Sequence, residues 1–193
     1  MGNRAVALLL LFAFTMVGCS TDSGGSDDQS LPTPSEAPPV FSPEAQIYSA
    51  VIHRLVLTDH TFGGAGYPSP FKAVYILDAL SSGGSDFFID ADGAPLEEAL
   101  KSEIVELSDG LPPVEFTDRI DTRADPSGQG VTGMQDDGVV IGLSAIEEPP
   151  EGTVLVGAGF WCGVDCGFGT TYVVEESNDG WHVTRNIGPI SIS

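Results

Sequence analysis

The sequence predicts an α+β fold: two helices from the N-terminal half packed on a mainly antiparallel β-meander, a two-layer sandwich. Three observations predict it. Two segments in the first half carry apolar residues at three- and four-residue spacing. Four later segments alternate apolar and polar residues and follow one another through short turns. Finally, about 150 residues remain once an N-terminal leader and a tether are set aside, which is the size of one domain.

The first helix begins at Ser42, a residue type that caps helices, with Pro43 at the first helical position and Glu44 complementing the positive helix end. Ile47, Tyr48, Val51, Ile52 and Leu55 form its apolar face. Thr58–Pro70 is rich in Gly and Pro and reads as a loop. Phe71–Leu80 is β-branched and aromatic, a strand, and Ser81–Ser85 is a turn. The second helix runs from about Pro95 to Ser108, with Leu96, Ala99, Leu100, Ile104 and Leu107 on one face; Gly110 and Pro112-Pro113 end it. Val114, Phe116 and Ile120 then mark a short strand, and Asp121–Asp137 a polar loop.

Gly138–Ile146, Thr153–Trp161, Phe168–Glu176 and Gly180–Ile187 follow as four strands. Their connections are Pro149-Pro150-Glu151-Gly152, the Cys162–Cys166 segment and Asn178-Asp179-Gly180, whose Asp-Gly pair is a hairpin signal. Strict alternation in the last strand puts Trp181, Val183 and Ile187 on one side and His182, Thr184 and Asn186 on the other, wet side.

Ahead of this domain (43–193), residues 1–18 form a leader. Met1–Arg4 carries one positive charge, and Ala5–Val17 is an apolar run too short for a membrane span of about 20 residues. Met16-Val17-Gly18-Cys19 resembles the lipobox of bacterial lipoproteins, with Met where Leu is usual. That resemblance implies cleavage before Cys19, lipidation of its thiol, and a membrane-held protein on the extracytoplasmic face. Ser20 resembles the outer-membrane sorting pattern of such proteins. Residues 19–42 then read as a tether: a Ser, Gly and Asp-rich coil, followed by an extended stretch carrying Pro32, Pro34, Pro38 and Pro39.

Beyond Cys19, only Cys162 and Cys166 remain, flanking Gly163-Val164-Asp165. In an oxidising compartment a disulfide is the first reading. A redox pair would have two intervening residues rather than three, and a structural zinc site needs four ligands where only His182 is near in sequence. Phe160, Trp161 and Phe168 bracket the tip. Either they are core, or one face leaves Trp161 and Phe168 as partner-binding residues. The order Gly142-Leu143-Ser144, Val154-Leu155-Val156, Cys162-Gly163-Val164-Asp165-Cys166-Gly167, Gly180-Trp181 and Ile192-Ser193 resembles a pattern in uncharacterised bacterial secreted and lipoprotein-type proteins. Ile47–Ile52 is similar to the opening segment of that group. The resemblance implies domain limits and the disulfide, and no activity.

The charge balance narrows the partners. Twenty-eight acidic residues stand against 7 basic ones, a formal net charge of −21. Nucleic acid is repelled by such a surface. So are anionic headgroups, which leaves the lipid anchor as the route to the membrane. No cofactor or metal is expected. Asp90-Ala91-Asp92-Gly93 fails as a calcium loop because Phe88 and Ala99 would fall at its first and twelfth positions. Gly142-Leu143-Ser144-Ala145-Ile146 lacks the closing Gly of a nucleophile elbow. No catalytic residue is assigned. Three functions stay open, in this order. The first is a non-catalytic module binding an envelope protein, a polymer or a small ligand. The second is a hydrolase drawing on Asp59, His60 and the acids of 86–92. The third is a cation-stabilised structural protein.

Overall fold

Helix α1 (Pro43–Leu57) starts as its sequence predicts. Ser42 has extended backbone (φ −62°, ψ 147°), and its Oγ accepts the Ala45 amide at 3.2 Å. The same hydroxyl donates to the Glu103 carboxylate, and the Ser42 amide reaches the same oxygen at 2.9 Å. The helix cap thereby ties α1 to the second helix. The computed structural model describes residues 40–60, 69–84, 86–127, 129–149 and 153–193. The leader 1–18, Cys19 and the tether up to residue 39 lie outside the described residues, as do most of the 58–70 loop and the 150–152 turn. Among the described residues, no helix is long and apolar enough to cross a membrane.

The fold is α+β: two helices pack on one mixed, mainly antiparallel sheet of six strands, in the order β2-β1-β3-β4-β5-β6. Strands β1 (Val74–Leu77) and β2 (Val114–Thr117) flank helix α2 (Glu98–Glu106) in sequence and pair in parallel. Parallel neighbours need a crossover connection of this kind. Strand β3 (Val139–Leu143) pairs with β1, also in parallel. From there β3, β4 (Val154–Gly163), β5 (Cys166–Ser177) and β6 (Gly180–Ile192) form the antiparallel meander.

Helix α2 begins three residues later than Pro95. The backbone before it is spent on extended pairing: Leu96 donates to the Asp78 carbonyl at 2.7 Å and Leu80 to Ala94 at 2.8 Å. Strand β2 stops before Ile120, because the chain turns at Asp118–Ile120 into a single 3₁₀ turn, Asp121–Arg123.

The helices cover the face formed by Val74, Ile76, Ile141, Val156, Phe160 and Tyr172. Helix α1 crosses β4–β6, while α2 lies over β2. The opposite face is covered too. Ala73, Tyr75, Leu77, Met134 and Val140 form a second, smaller core there, closed by Ile89, Ile120 and Trp161. The segment Asp86–Ile89 lies across the strands on this side over a floor of glycines. A Cβ on Gly142 would collide with the Phe88 backbone, one on Gly159 with Phe87, and one on Gly169 with Asp86. Only glycine lets backbone approach backbone so closely.

One alternation fails. Trp181 and Val183 pair with Glu176 and Val174, facing α1, whereas Ile187 pairs with Thr171 on the opposite face. A β-bulge between Val173 and Val174 inserts one extra residue, Thr184, and reverses the faces beyond it. Ile187 therefore does not share a side with Trp181 and Val183.

Candidate functional site

A cleft of about 680 Å³ opens where α1 begins. Three chain segments build it: the first turns of α1, Leu80 after β1, and Ala145–Glu148 after β3. Backbone bonds hold these walls. Ser81 donates to Leu143 at 2.8 Å, Ser144 to Gly157 at 2.7 Å, and Glu147 and Leu155 exchange both their bonds. Ile47, Leu80 and Ile146 give the cleft apolar lining, and Glu44 and Glu148 place two carboxylates at it. Tyr48 is buried, and its phenol donates to the Ser144 carbonyl at 3.2 Å. Burial, and then the charge of Glu44, push the Tyr48 phenol far above its ordinary pKa, so it remains a donor at every physiological pH.

Sequence reasoning assigned Glu44 to the helix end and Ile146 to a strand, and gave Glu148 no role. No local signal joins them, since they meet only through the packing of α1 against the segment after β3.

The cysteine tip forms as the spacing implies. Cys162 and Cys166 stand at disulfide distance, with Cα atoms 5.1 Å apart. The strands run further into the tip than predicted, to a Gly163↔Cys166 pair around Val164-Asp165, with a bulge between Trp161 and Gly163. Both cysteines are buried, and the Cys162 carbonyl accepts the Gly133 amide at 2.7 Å.

Trp161 and Phe168 do not form one patch. Phe168 is buried on the helix side, stacked on Phe160 with centroids 5.9 Å apart and planes at 20°. Trp161 points to the other face, half-buried, edge-on to Phe87 at 5.9 Å. Both pack as core.

No family model, curated protein or solved structure matches this chain.

The three histidines lie in different surroundings. His53 Nε2 donates to the Leu107 carbonyl at 3.1 Å. His60 is buried, its ring edge-on to Phe71 at 6.4 Å. His182 is exposed on β6, with Nδ1 3.4 Å from the Gly180 carbonyl. Asp59 is occupied: Arg54 Nε donates to it at 2.8 Å and the Tyr172 hydroxyl at 2.9 Å. Both Tyr172 and the Phe71–Phe160 pair against which His60 packs belong to the helix side of the sheet. The Asp86–Ile89 segment lies on the other side, so the sheet separates Asp86 from Asp59 and His60. The Asp92 carboxylate accepts the Ser82 amide at 2.9 Å and its hydroxyl at 2.7 Å, which closes the 82–92 loop and holds its pKa below the usual carboxylate range. Among the described residues, no group of three or more His, Cys, Asp or Glu side chains is arranged to hold a metal ion.

Proposed function

We propose that the chain is an exported, acyl-anchored lipoprotein whose domain, residues 43–193, binds a ligand in the α1 cleft without performing chemistry on it. The observation that carries the reading is the cleft. Its volume of about 680 Å³ falls in the range that takes a small ligand, and it combines an apolar lining with a few polar groups. The dispersal of His53, His60 and His182 favours binding over acid–base catalysis, which needs a base within hydrogen-bond reach of its substrate.

Export is supported from two directions. Met16-Val17-Gly18-Cys19 resembles a lipobox, and the resemblance to secreted and lipoprotein-type bacterial proteins agrees with it. Cys162 and Cys166 stand at disulfide distance, a pairing that persists in oxidising compartments. The membrane is reached through the acyl chains on Cys19, and two or three chains give stable anchoring where one is marginal. The ligand is an envelope protein, a polymer or a small molecule; the net charge of −21 argues against nucleic acid.

Intact-mass measurement of the chain purified from a bacterial membrane fraction tests the address. The expected species begins at an acylated Cys19 and lacks two hydrogens through the Cys162–Cys166 bond, and Cys19→Ser moves the protein to the soluble fraction. A chain retaining Met1 with three free thiols would overturn the proposal.

A further inference from the structure

The cleft's hydrogen-bonding groups divide unequally. Its side-chain hydroxyl donors are committed, that of Tyr48 to the Ser144 carbonyl and that of Ser42 to Glu103, which also takes the Ser42 amide. Its acceptors are open. Glu44 and Glu148 make no hydrogen bond or ion pair among the described residues, and no Lys, Arg or His lines the cleft. The two carboxylates come from different elements, the first turn of α1 and the segment after β3, and stand beside apolar surface from Ile47, Leu80 and Ile146. An anionic ligand would meet two negative charges and no Lys, Arg or His to answer its own. A neutral apolar ligand would leave both carboxylates unused.

From this we propose that the cleft binds a small organic cation: a protonated primary or secondary amine carried on an apolar body. The ammonium donates to Glu44 and Glu148, and the body lies against Ile47, Leu80 and Ile146. The inference rests on the cleft being the binding site, as proposed above. Because both carboxylates are exposed, the charge contribution is modest and weakens as salt rises. Burial of the apolar body supplies the remainder.

The test uses the full chain made soluble by Cys19→Ser, with Cys162 and Cys166 oxidised, and three probes of one shape: phenylbutylamine, phenylbutanol and phenylbutyrate. Backbone amide shifts are followed by heteronuclear NMR. The amine is expected to shift the amides of Glu44–Tyr48 and Ala145–Glu148, the alcohol to do so more weakly, and the carboxylate not at all. Neutralising one exposed carboxylate is expected to weaken the amine about threefold, and Glu44→Gln with Glu148→Gln about tenfold, while the alcohol is unchanged. Ile146→Asn should weaken both amine and alcohol.

Equal binding of amine and alcohol, unaffected by the double substitution, would overturn the cation claim and leave the cleft as an apolar site. If neither probe moves those amides, the cation claim is overturned, while an envelope protein or polymer remains open as the cleft's ligand.

Discussion

Gly142, Gly159 and Gly169 show what a missing Cβ does for this fold: it lets Asp86–Ile89 rest directly on β3, β4 and β5. Gly142→Ala or Gly159→Ala must push this segment away from the sheet, so either is expected to destabilise the protein by about 1–3 kcal/mol, as overpacking does. Gly133→Ala, where a Cβ would meet only ordinary contact at 3.4 Å, is the control and should cost less than about 1 kcal/mol. Urea unfolding of the three variants gives the comparison. Tyr172 is the other telling residue. Burial first, then the charge of Asp59 and the bond to it, raise its phenol pKa far above the ordinary value, against the opposing pull of Arg54. The folded chain therefore holds a proton that the unfolded chain releases above about pH 10. Stability from this group is complete below that pH and declines as pH rises beyond it. Tyr172→Phe should cost about 1 kcal/mol at neutral pH through the lost bond to Asp59, and flatten the alkaline decline. A decline as steep as in the parent would disprove the assignment, provided that Tyr48, whose phenol is raised in the same direction, is replaced in parallel.

At the level of elements, α1 and the β4–β5 hairpin each carry one device that fastens them. Ser42 caps α1 and also donates twice to Glu103 of α2, which holds that carboxylate's pKa below its usual range. Ser42→Ala should cost about 1 kcal/mol for the cap alone, and thermal unfolding should show the loss. The hairpin is closed by Cys162 and Cys166, which bracket a loop short enough that the chain-entropy model assigns the bond about 2 kcal/mol. Cys162→Ala with Cys166→Ala is expected to lower stability by about that amount under oxidising conditions and to leave the protein indifferent to reductant. The parent should lose the same amount on reduction.

For the molecule as a whole, the dominant quantity is the net charge of −21. The basic side chains among the described residues pair with acids, as Lys72 does with Asp137 at 2.6 Å and Arg123 with Glu115 at 2.9 Å. Many acids are left to repel one another across a compact fold. Raising salt from about 0.01 to 0.15 M shortens the Debye length from about 30 to 8 Å, so Tm should rise over that interval. A Tm that falls with salt would mean that the local ion pairs outweigh the global repulsion.

Local patterns in the chain suffice for α1 with its cap, the course of β3–β6, the two-layer α+β class and the cysteine pair. Each of these is written in neighbouring residues: a capping Ser before a helix-period face, alternation broken by Gly and Pro, and two thiols with three residues between them. Long-range contacts set the parallel pairing of β1 with β2 and β3, the reversal of Ile187 by the bulge at Thr184, and the packing of Trp161 and Phe168 on opposite faces. They also set the cleft, which joins Glu44 to Ile146 and Glu148 across about 100 residues of chain. Period and propensity describe one segment at a time, whereas strand direction, register and the lining of a cleft are set by contacts between segments remote in sequence.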